Sequence, residues 1–166
     1  MQTMPSGPDV LLGASSVWVA AMTAAAPAPV AISDQVLAEY PIWRTRYGRV
    51  EPNPERVSAV QRAPEDIELI IFFGTWCSDS LREVPLAWKA LRHAPFTVKN
   101  VRVDRSKRGP DVDAAVDLRY VPTFIVRRGG KELGRIVESP QGDLLGDLLA
   151  IIEGEKTGTV SGRFDL

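Results

Sequence analysis

The run Ile67-Glu68-Leu69-Ile70-Ile71-Phe72-Phe73 is apolar at successive positions rather than alternate ones, so it has almost no solvent face. A strand of this kind is buried on both sides and has to lie inside a layered α/β structure. It ends in Gly74-Thr75, and a helical pattern then opens on Cys77, the only cysteine of the chain. A thiol delivered by a strand to a helix N-terminus meets unpaired N–H groups and the positive end of the helix dipole. Those surroundings favour an anion, and a thiolate is one.

The pattern on either side continues this theme. Leu81, Val84, Trp88 and Leu91 share one face of a helix expected from Cys77 to about Arg92, with a kink at Pro85. Phe96–Asp104 predicts the next strand, Asp111–Leu118 a short helix, and Val121–Val126 a strand that starts beside a proline. Gly129-Gly130 predicts a hairpin turn into a strand over Lys131–Glu138. Ser139 is the expected cap of a last helix near Pro140–Glu153, and the chain from Gly154 onward has the composition of a frayed tail. The sum is an α/β fold with a central mixed parallel and antiparallel sheet, flanked by helices and covered on both faces.

Upstream, Val36, Leu37, Tyr40, Trp43 and Tyr47 recur at helical spacing over residues 34–47, with Ser33 or Asp34 as cap and Gly48 as stop. Pro41 makes this either a kinked helix or two short ones. A second helix is expected from Glu55 to Arg62, ahead of Pro64. The aromatic side chains are expected to pack this extension onto the sheet domain. The expected organisation is therefore an Ala/Pro-rich leader over 1–32, a helical extension over 33–64, the sheet domain over 65–154 and a tail over 155–166.

The leader has no Lys or Arg. Leu11–Ala26 is too short and small-sided for a membrane span, and with Ala26-Pro27-Ala28 behind it partly fits a signal peptide. Asp9 and the absent basic residues argue against that, so a cytoplasmic chain is favoured, with export to the periplasm as the alternative. A net charge of −1 gives no electrostatic reason for a nucleic-acid or membrane partner. One cysteine excludes an intramolecular disulfide, and with a single histidine, His93, no metal site is expected.

Trp76-Cys77-Ser78-Asp79-Ser80 after an apolar strand, Pro85 eight residues past the cysteine, and Val121-Pro122-Thr123 further on resemble the thioredoxin superfamily. The nearest likeness is to bacterial thioredoxin family proteins with a Trp-Cys-x-Asp-Ser motif followed by Arg-Glu-Val-Pro, here Arg82–Pro85. The resemblance spans about residues 67–153 and implies a thioredoxin fold. It implies a cis peptide before Pro122, facing Cys77, with Val121 backbone groups pairing with an extended substrate and Trp76 covering the thiol. Two departures matter. Ser80 stands where a dithiol thioredoxin has its second cysteine, and Ile71 stands where it has a buried acid. An internal-disulfide cycle is chemically impossible for one such chain.

What remains open to Cys77 is monothiol chemistry. A helix N-terminus stabilises an anion by about 0.3–1 kcal/mol. Ser80 is placed either to donate its hydroxyl to the sulfur or to bond its own backbone. Asp79 opposes the anion: a carboxylate about 6 Å away costs a thiolate roughly 0.7 kcal/mol in water. Arg82 and Glu83 read as surface charge and Asp104 as a turn residue. The expected function is a monothiol thiol–disulfide oxidoreductase with Cys77 and Ser80 as catalytic residues, surrounded by Trp76, Ser78, Asp79, Val121, Pro122 and Thr123. Its partners would be a disulfide-containing protein or a low-molecular-weight thiol adduct, and an external thiol reductant. No metal or cofactor is implied. The alternative is a redox-inactive binding module that keeps the Pro122 groove for a peptide.

Overall fold

The computed structural model describes residues 31–164 of the chain; the leader reading for 1–30 lies outside them. At the centre is β1, Ile67–Phe73. It pairs in parallel with β2 (Thr97–Arg102) on one side and antiparallel with β3 (Thr123–Arg128) on the other. β3 turns through Gly129-Gly130 into antiparallel β4, Lys131–Val137. Both turn glycines have positive φ, as a two-residue hairpin requires. A fifth strand, β5 (Gly158–Val160), then runs parallel to β4, giving the order β2-β1-β3-β4-β5. This is the expected mixed sheet, with one strand more than the sequence pattern suggested. The tail is not frayed. Val160 is buried, and Ser161 donates its hydroxyl to the Val137 carbonyl at 2.9 Å.

The alternate faces of β1 feed two separate cores. Leu69, Ile71 and Phe73 point into the larger one, beneath five helices: α1 (Ile32–Glu39), α2 (Pro41–Arg49), α3 (Pro54–Gln61), α4 (Ser78–Ala90) and α5 (Leu144–Ile152). Ile70 and Phe72 point into a smaller core with Val101, Val103, Val116, Val121 and Ile125. Here the expected helix over 111–118 shrinks to one 3₁₀ turn, Ala114–Val116. Asp113 caps the turn through the Ala115 N–H and Asp117 leaves it in the left-handed region, so local side-chain bonds win over helix continuation. The second face of the sheet is covered by this irregular 103–122 connection.

Other boundaries shift for local reasons. Residues 34–47 form two helices, with Pro41 opening α2, where its missing N–H costs nothing. Gly48 does not stop α2, which ends at Arg49. α1 starts at Ile32 without a side-chain cap, so neither Ser33 nor Asp34 performs that role. Asn53 caps α3 with bonds from the Glu55 and Arg56 N–H groups. The last helix begins at Leu144 under an Asp143 cap, not at Ser139. The Asp147 carboxylate, itself buried, accepts from the Gln141 and Gly142 N–H groups and keeps that stretch as a loop.

The helical extension shares the main core. Trp43 of α2 is fully buried against Phe73 and Trp88, with ring centroids 5.6 and 5.5 Å away, and Phe73 and Trp88 meet edge to face at 5.3 Å. Removing a buried aromatic costs about 3–5 kcal/mol. Trp43→Ala should lower stability by that amount in urea unfolding, and Trp43→Phe by clearly less.

Candidate functional site

β1 ends at Phe73, and the next four residues fold back tightly into α4. The Cys77 N–H donates to the Gly74 carbonyl at 3.1 Å, and the Leu81 N–H donates to the Cys77 carbonyl at 3.0 Å to start the helix. Cys77 is thus the N-cap residue of α4, with extended backbone. Its sulfur occupies the position a capping oxygen usually takes and accepts the Ser80 N–H at 3.5 Å. Across the site, the Val121–Pro122 peptide is cis, and the Cys77 thiol donates to the Val121 carbonyl at 3.2 Å. The sulfur therefore lies between a helix N-terminus and a bare backbone acceptor. The Val121 contact exists only for the thiol, whereas the Ser80 N–H serves thiol and thiolate alike.

Trp76 lies beside the sulfur on the smaller core. Its indole N–H donates to the Val103 carbonyl at 3.2 Å, and the Arg105 guanidinium stacks 5.0 Å from its ring. The ring folds back over Gly74 so closely that a Cβ there would meet it at 2.5 Å. Only glycine leaves that space. Asp104 holds the loop that carries Arg105: its carboxylate accepts from the Ser106 hydroxyl at 2.5 Å and from the Ser106 and Arg108 N–H groups. The Ser106 hydroxyl, followed by the Arg108 N–H, keeps that carboxyl below its ordinary range.

Charge at the N-terminus of α4 is managed by Arg82. Its Nη1 meets Asp79 at 2.7 Å, its Nε meets Glu83 at 2.7 Å and its Nη2 donates to the Ser139 hydroxyl at 2.9 Å. The two carboxylates, Glu83 first and then Asp79, hold the guanidinium above its ordinary range. Arg82 is exposed, as expected of surface charge, but Glu83 is buried, so that reading is corrected for Glu83: it is held in an ion pair with Arg82. α2 braces the same region from behind. The Trp43 indole donates to the Thr75 carbonyl at 3.3 Å, and Arg46 donates to the Arg82 carbonyl at 3.1 Å. On the far side the Glu138 N–H donates to the Pro122 carbonyl at 2.7 Å, and its carboxylate takes Arg163 of the C-terminal segment at 2.6 Å.

No protein-family model and no curated protein matches this chain. Solved structures do. A crystal structure of an HIV epitope scaffold superposes with a TM-score of 0.52 at 21% identity, covering 74% of this chain and 85% of that one. A Pseudomonas aeruginosa protein of unknown function gives 0.51 at 21% identity, over 75% and 86% of the two chains. Thioredoxin f2 from Chlamydomonas reinhardtii gives 0.42 at 15% identity, over 60% and 87%. The fold is thioredoxin-like by its own architecture, a mixed sheet in the order β2-β1-β3-β4 flanked by helices with a cis-proline opposite the N-terminus of α4.

Within this thioredoxin-like fold, Trp76, Cys77, Val121 and Pro122 meet as the sequence resemblance implied. Ser78 is exposed beside them. Asp79 is turned into its pair with Arg82. Thr123 is buried at the start of β3 and donates its hydroxyl to the Tyr120 carbonyl at 2.8 Å, which stiffens the loop behind Pro122. His93 is exposed beyond the end of α4. Ser80 departs from both readings made for it. Its hydroxyl is fully buried and accepts the Gly74 N–H at 3.2 Å, with no bond to the sulfur. It closes the strand–helix turn, and it acts on Cys77 only through its backbone N–H.

The residues that sequence reasoning missed are Trp43, Arg46, Glu138 and Arg163, which come from distant segments. Arg82 at i+3 from Asp79 was within reach of a helical-spacing argument. Among the described residues no group of three His, Cys, Asp or Glu could hold a metal ion, and no helix is long and apolar enough to cross a membrane.

Two outcomes follow from this geometry. Ser80→Ala leaves the buried Gly74 N–H unpaired and should cost about 1–3 kcal/mol in chemical unfolding, while Cys77 still alkylates at a rate close to that of the wild type. Gly74→Ala should displace the Trp76 ring, read as a shift of its indole N–H resonance, with a loss of about 1–3 kcal/mol.

Proposed function

We propose that the chain is a monothiol thiol–disulfide oxidoreductase with Cys77 as nucleophile. The single observation that carries this reading is the Cys77 sulfur at the N-terminus of α4, 3.2 Å from the carbonyl of the residue before cis-Pro122. The Cys77 thiolate attacks one sulfur of a substrate disulfide. The S–S bond breaks, a mixed disulfide forms on Cys77, and the other sulfur leaves as a thiolate that takes up a proton. An external thiolate then attacks the mixed disulfide and frees Cys77, and a second one completes reduction of the substrate. The two electrons come from the external thiols, which end as their own disulfide. Ser80 and Ile71 supply neither a resolving thiol nor an acid, so the second step has to come from outside the chain.

The substrate class that fits is a disulfide-containing protein, or a protein carrying a low-molecular-weight thiol adduct. An extended segment would lie along the Val121 backbone, and a cavity of about 510 Å³ lined by Tyr120, Thr123, Arg135 and Val137 opens beside that loop to take a side chain. Cys77 is partly exposed, which suits attack on a surface-bound disulfide.

One observation favours a second reading, a peptide-binding module without turnover. The Ser80 hydroxyl accepts from the Gly74 N–H and makes no bond to the sulfur, so among the described residues no side-chain donor assists the thiol.

The test is turnover of a glutathionylated peptide in excess reduced glutathione. The wild-type protein should accelerate release of the peptide thiol, and Cys77→Ser should abolish the acceleration. With glutathione omitted, one peptide adduct should accumulate on Cys77 by mass. If wild type and Cys77→Ser are equally inactive yet bind the peptide equally, the oxidoreductase reading fails and the binding module stands.

A further inference from the structure

Asp79 stands two residues past Cys77 in the first turn of α4, where its charge acts against a thiolate. Charged groups approach this corner from every element packed around it. α4 brings Asp79, Arg82 and Glu83, and α2 brings Arg46. The loop after β2 brings Arg105, and the segment after β4 brings Glu138 with Arg163. Only Arg82 is bonded to Asp79 in this set. Its three guanidinium nitrogens are divided among Asp79, Glu83 and Ser139, and its own carbonyl is held by Arg46. Ser139 in turn accepts the Gly162 N–H on its carbonyl, and its neighbour Glu138 donates to Pro122. Arg82 thus joins the turn that carries the sulfur to the loop that carries the cis-proline.

We propose that Arg82 is the positioning residue of the Cys77 site, holding the Asp79 carboxylate in an ion pair so that its charge does not oppose the thiolate. The proposal rests on Cys77 acting as a nucleophile, the reading developed above, and extends it to a residue outside the Trp-Cys-Ser-Asp-Ser motif. Arg82 touches no reacting atom. Its effect passes through Asp79, and that route separates it from a merely structural role.

The experiment compares alkylation rates of Cys77 by iodoacetate, an anion, and iodoacetamide, which is neutral, at one pH and low ionic strength. Arg82→Ala should slow iodoacetate by about three-fold or more, the effect of one unpaired carboxylate about 6 Å away in water, and slow iodoacetamide less. The double variant Asp79→Asn/Arg82→Ala should recover the wild-type rates, and added salt should shrink the Arg82→Ala effect. Unchanged rates in Arg82→Ala would overturn the proposal, and so would a loss that Asp79→Asn does not rescue. If Arg82→Ala does not fold, Arg82→Gln takes its place with the same two outcomes: an iodoacetate rate slowed by about three-fold or more that Asp79→Asn restores supports the proposal, and any other result overturns it. Alkylation needs only a nucleophilic thiol. A protein that follows this pattern yet fails to turn over the mixed disulfide keeps the Arg82 role and loses the oxidoreductase reading.

Discussion

β1 has no face left for water, and the rest of the molecule is arranged to satisfy that constraint. Its odd-numbered side chains need the helical layer, and Ile70 and Phe72 need the 103–122 connection. Each apolar side chain buried in this way contributes about 1.5–3 kcal/mol. The end of the strand is therefore as fixed as its middle. From Phe73 the chain has only the Gly74–Trp76 turn before α4 begins, so the thiol inherits the rigidity of the sheet. The buried Ser80 hydroxyl on the Gly74 N–H closes that turn.

Around this anchor the site is assembled from backbone rather than from acids and bases. The sulfur meets one N–H and one carbonyl, and the charged residues nearby are paired with each other. Trp76 shows the same economy of means. Its face packs on the smaller core, its edge donates to Val103, and Arg105 covers the ring. The helical extension belongs to this assembly. Through Trp43 on Thr75 and Arg46 on Arg82, α2 supports the turn from the side opposite the cis-proline. The C-terminal segment does the same for the other wall, with β5 extending the sheet and Arg163 reaching Glu138.

The fold was legible because its signals are local or strongly periodic. Unbroken apolarity marked β1, the glycine pair marked the β3–β4 hairpin, and helical spacing marked α4 and α5. That Cys77 and Pro122 face each other was implied only by the resemblance to the thioredoxin superfamily, and the structure brings them together. Less was legible where a short-range competitor decides the outcome. Asp113 and Asp117 draw the backbone of 111–118 into a single 3₁₀ turn. Asp147 holds Gln141 and Gly142 out of α5. β5 is only three residues long and opens on a glycine, and it is a strand because β4 offers it an open edge.

The sequence by itself determined that a lone thiol sits at a helix N-terminus after a buried strand, with Ser80 in place of a second thiol and Ile71 in place of an acid. These are matters of residue identity and near-neighbour spacing. Only the tertiary structure decided what surrounds that thiol. Ser80 turns toward Gly74 instead of the sulfur because a buried N–H at the strand end has no other partner. Asp79 turns toward Arg82, and Arg82 toward Ser139, because α4 and the loop after β4 are brought side by side by the sheet. Hydrogen bonds and ion pairs act over a few ångströms, and which groups come within that range is set by the packing of segments distant in the chain.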